Sequence, residues 1–295
     1  MNKFKFIYKG APVFAGRVLI NLLSLPPQVI TLDSSLGARV KFTRVNVTRD
    51  AVIFQTGERY VEIPKSEIKQ ACKNPRRVYA LSQSELIPLS IAGSNGKYYQ
   101  LTLFENCITP TIEISGIHMH RVVVDPLYVD AKSKIQALNP NPRSSVLEVC
   151  TGLGYTTYWL LRSQCKVVTI EKSKEVLELA SWNPWSRHLE GVELILGDAS
   201  EVLQHLPDNE FDFVVHDPPR IALSPELYTE DFYKELHRVM KRAGRLLHYV
   251  GEPKRKKGKH YHHIRSISNL LRNSGFSIIR YDPFSQSILA VCIKR

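Results

Sequence analysis

The stretch VVHDPPR, residues 214–220, places an acid and two prolines directly after a run of apolar residues. The preceding FDFVV is typical of a strand buried within a sheet. Proline has no N–H to donate and ends such a strand, so the carboxylate of Asp217 stands where the chain leaves the sheet. The stretch alone fits two interpretations. It is either a turn in which Asp217 accepts backbone N–H bonds, or the floor of an active site.

A glycine-containing loop, LEVCTGLGYT (147–156), joins an apolar strand to a helical pattern. Gly152 and Gly154 allow a tight turn and a close approach of the backbone to a ligand. A glycine pair by itself also fits an ordinary strand–helix loop. Glu148 lies in the strand and, if buried, requires a partner.

Two further acids stand at strand ends. The strand KVVTIE ends at Glu171, about 20 residues after the glycine loop, where a carboxylate can accept both hydroxyls of a ribose. An ordinary surface acid is the alternative. The strand VELILGD ends at Asp198, which either contacts an adenine edge or caps the next helix. The carboxyl ends of parallel strands meet at one edge, where open α/β sheets bind ligands. The glycine loop and the two acids together are therefore stronger evidence for a ligand site than any one of them alone.

A regular alternation of strands and helices positions these acids. It follows the break NPNP (139–142), because each proline disfavours helix in the residue before it. The alternation ends in an antiparallel hairpin, FSIIRYDP followed by FSQSILAVCIKR. One helix beginning near Phe232 is predicted to end at Gly244. The pattern predicts an α/β fold with a mostly parallel, Rossmann-like sheet covered by helices on both faces.

Residues 1–125 have a different texture, with short alternating runs such as ARVKFTRVNVT (38–48), AVIFQ (51–55) and KYYQLTLF (97–104). These runs predict a small, mostly antiparallel β-rich domain, with a helix near VFAGRVLINLLS (13–24). We therefore predict two domains: residues 1–125, a possible RNA-binding platform, and residues 126–295, the α/β domain.

The formal net charge is +12, from 40 Lys and Arg against 28 Asp and Glu. Such a balance makes a polyanion, most commonly nucleic acid, the expected partner. A solvated basic surface is the alternative. Basic residues also mark the predicted N-terminal strands, where they indicate either a nucleic-acid platform or the polar face of a half-buried sheet. They are Arg39, Lys41, Arg44 and Arg49.

The five cysteines include no C-x-x-C pair, which fits a reducing cytoplasm and disfavours a disulfide framework or a structural zinc site.

We expect no membrane span and no secretory signal, because the apolar runs are too short. We also expect no metal, since His260, His262 and His263 have no carboxylate or cysteine partner at ligand spacing.

Together these motifs resemble the class I S-adenosylmethionine-dependent methyltransferases over about residues 140–295. The final hairpin corresponds to that family's sixth and seventh strands, and Cys150 stands where the first loop glycine is usual. The resemblance implies S-adenosyl-L-methionine as the cofactor; NAD is disfavoured by the hairpin and by the missing G-x-G-x-x-G. The implied cofactor-binding residues are Glu148, Cys150, Thr151, Gly152, Gly154, Tyr155, Glu171, Lys172, Asp198 and Ala199.

HDPPR resembles the Asp/Asn-Pro-Pro-aromatic signature of amino methyltransferases, which act on an exocyclic amine of adenine or cytosine, or on a glutamine amide. The implied catalytic set is His216, Asp217, Pro218, Pro219 and Arg220. The Asp217 carboxylate and the Pro218 carbonyl would accept the N–H hydrogens of the amine and orient its lone pair.

Two members of this set carry a second interpretation. Arg220 departs from the usual aromatic residue, although guanidinium can stack on a base or hold a phosphate. His216 either accepts a proton after methyl transfer or is a hydrogen-bonded histidine at a strand end.

A basic loop, EPKRKKGKHYHH (252–263), follows the next strand and is expected to overhang the same edge of the sheet. It is either a solvated face or an RNA phosphate-binding loop formed by Lys254, Arg255, Lys256, Lys257 and Lys259. The whole pattern resembles an archaeal group associated with N4-dimethylation of cytidine in small-subunit ribosomal RNA. That resemblance implies rRNA or the small ribosomal subunit as partner.

Three other functions stay open. A β domain before a Rossmann-like domain also resembles the aminopropyltransferases that make spermidine, but CTGLG departs from their Gly-Gly-Gly-Asp-Gly loop and basic surroundings repel a polyamine. Glutamine methylation in proteins suits Asp-Pro-Pro but leaves the charge unexplained. A non-catalytic RNA-binding module is the third. The sequence leaves the target nucleotide, the number of methyl groups and the oligomeric state open.

Overall fold

The structure is a computed structural model that describes residues 2–251 and 259–294. The chain divides into two compact units. The parallel-sheet unit comprises Met1–Lys5, Leu127–Lys174 and Gly191–Arg295, and the antiparallel unit comprises Phe6–Pro126 and Glu175–Glu190. None of the helices in the described part of the chain has the length and apolar character needed to cross a membrane.

The strands and helices alternate in the second half of the chain, as predicted. The strands are β1 (Lys3–Phe4), β2 (Val13–Ala15), β3 (Gln28–Asp33), β4 (Phe42–Val47), β5 (Ala51–Thr56), β6 (Arg59–Pro64), β7 (Val78–Leu81), β8 (Leu86–Pro88), β9 (Ser90–Ala92), β10 (Tyr98–Thr102), β11 (Thr111–Ile114), β12 (Ile117–His118), β13 (Ser145–Val149), β14 (Lys166–Glu171), β15 (Glu193–Leu196), β16 (Phe211–His216), β17 (Met240–Tyr249), β18 (Phe276–Asp282) and β19 (Ser287–Cys292). The α-helices are α1 (Gly16–Ser24), α2 (Lys65–Ala71), α3 (Lys132–Leu138), α4 (Tyr155–Arg162), α5 (Lys174–Trp182), α6 (Ala199–Gln204), α7 (Glu230–Val239) and α8 (Lys259–Asn273). A π-helical turn (Pro126–Ala131) and two 3-10 segments (Pro184–Gly191 and Pro225–Tyr228) complete the helical structure of the described residues.

One sheet of eight strands forms the centre of the parallel-sheet unit, in the order β1-β15-β14-β13-β16-β17-β19-β18. Strands β13 to β17 pair in parallel, whereas β1 and the closing hairpin β18–β19 pair antiparallel with their neighbours. The predicted fold class is therefore confirmed: a mostly parallel, Rossmann-like sheet with an antiparallel end, preceded by small antiparallel sheets.

Apolar side chains cover both faces of this sheet, which is why its central strands are almost continuously apolar. Leu147 and Val149 of β13 belong to one buried cluster, and Val146 belongs to the other. Val214 and Val215 of β16 divide between the two clusters in the same way. The sheet thus fixes the carboxyl ends of β13 and β16 from both sides.

The antiparallel unit contains a four-stranded meander in the order β3-β4-β5-β6. Alternation along its strands sends one set of side chains into a core with α1 and α2, because successive residues of a strand point to opposite faces. Val45, Val47, Phe54 and Ile63 are all fully buried in that core. Two smaller antiparallel sheets, β2-β7-β8 and β9-β10-β11-β12, belong to the same unit. The assignment of residues 1–125 and 126–295 to separate domains stays a prediction.

The predicted end of helix α7 at Gly244 is wrong. The helix ends at Val239, and Gly244 lies inside β17. A Cβ on Gly244 would lie 2.9 Å from the backbone oxygens of Asp212 and Lys241. The glycine therefore permits a close approach where the β16–β17 register shifts, which is the usual alternative meaning of glycine in a strand.

Candidate active site

The predicted site residues follow four adjacent strands of the large sheet. The glycine loop follows β13, Glu171 ends β14, Asp198 follows β15 and Asp217 follows β16. The strands are parallel and neighbouring in the order β15-β14-β13-β16, so their carboxyl ends lie along one edge. Val149 pairs with His216, and the Asp217 N–H donates to the Val149 carbonyl at 3.4 Å. The structure thus brings the Asp-Pro-Pro stretch beside the glycine loop.

Left-handed backbone shapes the loop. Gly152 and Gly154 have φ of 56° and 72°, and Cys150 has φ of 72°. The position where the sequence lacks the usual first glycine is therefore one that favours glycine. Burial raises the pKa of the Cys150 thiol well above its usual value, and the negative charges of Glu171, Asp217, Glu148 and Asp198 add to that effect. The thiol is therefore protonated at neutral pH.

Glu148 is fully buried in β13 and ties the loop to its surroundings. Its carboxylate accepts hydrogen bonds from the hydroxyls of Thr156, Thr157 and Thr169, the last at 2.6 Å. Burial raises its pKa, although the three hydroxyls oppose that change. This geometry gives Glu148 a positioning role between β13, β14 and α4, and a direct cofactor contact stays a prediction. Thr151 and Tyr155, also predicted to bind the cofactor, are buried in the same loop and at the start of α4.

Glu171, at the end of the neighbouring strand β14, also binds the glycine loop. One carboxylate oxygen accepts from the Gly152 N–H at 2.9 Å and the other from the Ser173 N–H at 3.0 Å. Burial raises the pKa of Glu171, whereas these backbone donors lower it. Each carboxylate oxygen has two lone pairs, so this anchoring leaves acceptor capacity for a ligand hydroxyl.

Asp198 is the N-cap of α6, the alternative that the sequence left open. One oxygen accepts from the Ser200 N–H at 2.9 Å and the other from Lys172 Nζ at 2.6 Å. Burial raises the pKa of Asp198, but the bonds from Lys172 and Ser200 outweigh it and leave the pKa below its usual value. Ala199 is buried at the first position of the helix. Contacts of Asp198, Lys172 and Ala199 with a cofactor stay predictions.

Asp217 pairs with a buried lysine that the sequence did not single out. Lys134 Nζ of α3 lies 2.7 Å from Asp217 Oδ2 and 3.0 Å from Asp130 Oδ2. The Lys134 side chain is only 4% exposed and its Nζ lies 4.1 Å from the centroid of the Tyr249 ring. Burial alone lowers the pKa of Lys134, but the two carboxylates raise it above its usual value. Burial raises the pKa of Asp217, and the Lys134 ammonium opposes that change.

The two prolines after Asp217 have different surroundings. The Tyr228 hydroxyl donates to the Pro219 carbonyl at 2.7 Å, which restrains the segment. Pro218 is buried, and its carbonyl accepts no hydrogen bond among the described residues. Arg220 is exposed, and its carbonyl accepts from the Leu223 N–H. The structure thus groups Asp217 and both prolines, whereas the Arg220 side chain points into solvent.

For His216, the alternative of a hydrogen-bonded histidine is wrong among the described residues, and the role of proton acceptor stays a prediction. His216 is fully buried, and its two ring nitrogens have no hydrogen-bond partner in the part of the chain that the structure describes. Its ring stacks on His248 with centroids 4.3 Å apart. Burial lowers the pKa of His216 well below its usual value and that of His248 to about 3. Both imidazoles are therefore neutral at physiological pH.

Most of the predicted phosphate-binding loop lies outside the described residues. Lys254, Arg255, Lys256 and Lys257 lie outside the described residues, and only the backbone of Lys259 is described, as the first residue of α8. Among residues 2–251 and 259–294, no group of three or more His, Cys, Asp or Glu side chains is arranged to hold a metal ion.

The edge fits the cofactor that the motifs imply. The glycines of the left-handed loop permit a close approach of a ligand, Glu171 keeps acceptor capacity, and Asp198 is held in its charged form. These are the donor and acceptor types that a nucleoside with an amino-acid tail requires.

Sequence reasoning missed Lys134, Asp130 and Tyr228. The signal for the first two was an acid and a lysine four residues apart, a spacing that places both on one face of a helix. That spacing usually marks a solvated surface, so only the fold shows that the pair is buried. Tyr228 lies nine residues after Pro219 and had no motif of its own.

The chain is similar in sequence or in fold to several known proteins. Residues 140–278 match a family described as a methyltransferase domain. The chain is 37% identical over 281 residues to the uncharacterized protein MJ1233 of Methanocaldococcus jannaschii, covering 94% of each protein. Among solved structures, spermidine synthase from Thermotoga maritima is similar over 68% of this chain and 70% of its own, with 16% identity and a TM-score of 0.49. A SAM dependent methyltransferase from Aquifex aeolicus is similar over 55% of this chain and 88% of its own, with 22% identity and a TM-score of 0.43.

Proposed function

We propose that the chain is an S-adenosylmethionine-dependent methyltransferase, since residues 140–278 match a methyltransferase domain, and that it methylates an exocyclic amine of a nucleic-acid base. The first candidate is N4 of cytidine in ribosomal RNA. The observation that carries the proposal is the position of Asp217-Pro218 at the end of β16, directly beside the glycine loop that follows β13.

The chemistry of such an amine explains the residue types at this position. Its lone pair is delocalised into the base, so the nitrogen is a weak nucleophile until its N–H bonds are held out of the plane. The Asp217 carboxylate and the Pro218 carbonyl supply two acceptors on adjacent residues. Among the described residues, Asp217 Oδ2 accepts from Lys134, and neither Asp217 Oδ1 nor the Pro218 carbonyl has a hydrogen-bond donor. Both acceptors are thus available to a substrate.

Preorganisation supplies most of the expected rate gain. Lys134 holds the Asp217 carboxylate from one side at 2.7 Å, and Tyr228 holds the segment through the Pro219 carbonyl. Acceptors fixed before the substrate arrives need no reorganisation during the reaction. The glycine loop, Glu171 and Asp198 would hold the cofactor, which supplies an electrophilic methyl group on a sulfonium sulfur. The proton that the methylated amine loses passes first to the Asp217 carboxylate, which already accepts that N–H.

Charge supports a nucleic-acid substrate. The chain carries a net charge of +12, and the segment after β17 contains the run KRKKGK. Lys and Arg side chains neutralise phosphates and release counterions, which gives polyanions their sequence-independent affinity.

The test is methyl transfer with defined acceptors. The protein is incubated with S-adenosylmethionine carrying a labelled methyl group and with ribosomal RNA made without modifications. The RNA is then digested to nucleosides, and N4-methylated cytidine is expected to carry the label. Label in protein fractions with none in RNA, or no methyl transfer to RNA at all, contradicts the proposal. Calorimetry with S-adenosylmethionine alone separates an enzyme from a non-catalytic RNA-binding module.

A further inference from the structure

The outer face of the β3–β6 meander carries an ordered array of side chains that the core does not use. We call this array the outer face. Strand pairing aligns Arg44 with Gln55 and Gln55 with Tyr60. The neighbouring row aligns Val29, Asn46, Ile53 and Glu62. Both rows cross consecutive strands, so their members are neighbours in space at the strand spacing of about 4.8 Å.

Large apolar groups on this face lie in solvent. The exposed fraction is 69% for Tyr60, 57% for Phe42 and 52% for Val29. The two rows line a depression of about 440 Å³. Val29 and Tyr60 line this depression, and exposed apolar side chains at a depression are a feature of binding surfaces.

The polar members of the array determine which partner fits. The rows place the phenol of Tyr60 and the guanidinium of Arg44 on either side of the Gln55 amide. Flat aromatic and guanidinium groups stack on unpaired bases, and amides donate to and accept from base edges. Arg44 also attracts phosphate. Among residues 1–125 there are 16 Lys and Arg against 9 Asp and Glu, so the segment that contains this face is positively charged overall.

We propose that the outer face binds single-stranded RNA, with Tyr60 and Arg44 stacking on unpaired bases and Asn46 and Gln55 contacting base edges. The inference rests on the proposed function in that it takes RNA as the substrate. It adds a second RNA contact that involves no residue of the candidate active site.

The test is the affinity of the full chain for an unstructured, fluorescently labelled RNA oligonucleotide, measured by anisotropy. We expect the double variant Arg44→Ala/Tyr60→Ala to bind about tenfold to a hundredfold more weakly, the effect of losing base stacking. Arg59→Ala is the matched control, because Arg59 is exposed beside Tyr60 but alternation along β6 directs it to the opposite side of the strand. Tyr98→Ala, on an exposed position of β10, controls for loss of a surface tyrosine. Both controls are expected to bind as the parent does.

Unchanged affinity in the double variant overturns the inference, as does an equal loss in the two controls. Asn46→Ala/Gln55→Ala provides an independent variant, and its affinity is also expected to fall. Methyl transfer to RNA, measured in parallel, is expected to show a raised KM for RNA in the double variant with kcat unchanged. If the parent methylates RNA while every outer-face variant binds normally, only the surface assignment fails. If the parent transfers no methyl to RNA, the proposed function fails by itself.

Discussion

The parallel-sheet unit and the antiparallel unit each contain a cation and a tyrosine in one neighbourhood, and the two neighbourhoods differ in burial. In the parallel-sheet unit, Lys134 lies over the ring of Tyr249 and pairs with two carboxylates, and its side chain is 4% exposed. In the antiparallel unit, Arg44 and Tyr60 flank Gln55 on a sheet face, and Tyr60 is 69% exposed. In the parallel-sheet unit, two carboxylates of the protein balance the charge of Lys134. In the antiparallel unit, the guanidinium of Arg44 is accessible to a binding partner.

The difference shows what burial does to the same residue types. A buried ammonium must have its charge balanced inside the protein, so Lys134 couples stability to the position of Asp217. An exposed guanidinium costs the fold little and is free to contribute binding energy. Substitutions in the first cluster are therefore expected to affect the fold, and those in the second to affect recognition.

The largest effect is expected from Lys134→Met. It leaves the carboxylates of Asp130 and Asp217 buried without their cation, which costs about 3–5 kcal/mol of unfolding free energy. Urea denaturation measures the loss. Lys132→Met is the matched control on the same helix; Lys132 is partly exposed and lies 5.1 Å from the Trp159 ring centroid, so a loss below about 1 kcal/mol is expected. Equal losses would mean that the buried ion pairs are not what stabilises this region.

A buried tyrosine and an exposed one give the next test. Tyr79→Ala removes a ring that is 1% exposed in the core of the antiparallel unit, and is expected to cost about 3–5 kcal/mol. Tyr60→Ala in the same unit is expected to change the unfolding free energy by less than about 0.5 kcal/mol. Thermal or urea unfolding compares them. A large loss at Tyr60 would show that the outer face is part of the fold and not free for a partner.

The pH dependence of stability probes Glu148. Its pKa is raised by burial above the usual 4.5, so the stability that protonation contributes is present below about pH 4.5 and is lost as pH rises through the folded-state pKa. Glu148→Gln removes this titration. Urea midpoints measured between pH 4 and pH 8 are therefore expected to fall with rising pH more steeply in the parent than in the variant. Identical pH profiles would exclude a burial-raised pKa at this position.

The smallest effect is expected at Cys150. Its φ of 72° favours glycine, so Cys150→Gly removes backbone strain of about 1 kcal/mol. Glycine also raises the conformational entropy of the unfolded chain, which destabilises the fold by a similar amount. We expect its unfolding free energy to stay within about 0.5 kcal/mol of the parent. Cys150→Val, β-branched in the same backbone, is expected to be about 1–2 kcal/mol less stable than the glycine variant. The reverse order would show that side-chain packing outweighs backbone conformation there.

The sequence was informative where a feature is local. Strand–helix alternation predicted β13 to β19, and the glycines predicted the tight turn after β13. It failed where distant segments decide the outcome. The pairing of Lys134 with Asp217 spans 83 residues, and that of Lys3–Phe4 with β15 spans about 190, so no periodicity signals either. Gly244 was misassigned because glycine marks both helix ends and strand irregularities, and only the approach of Asp212 O distinguishes the two.

The central claim is that Asp217 orients the amine that receives the methyl group. The most direct measurement is single-turnover methyl transfer to unmodified RNA by Asp217→Ala, with cofactor affinity measured by calorimetry on the same preparation. Asp217→Asn, which keeps an acceptor oxygen, accompanies it, and urea unfolding confirms that both variants fold. We predict that Asp217→Ala loses at least about a hundredfold in transfer rate while its affinity for S-adenosylmethionine stays within about threefold of the parent. A folded Asp217→Ala that transfers methyl at the parent rate would contradict the account.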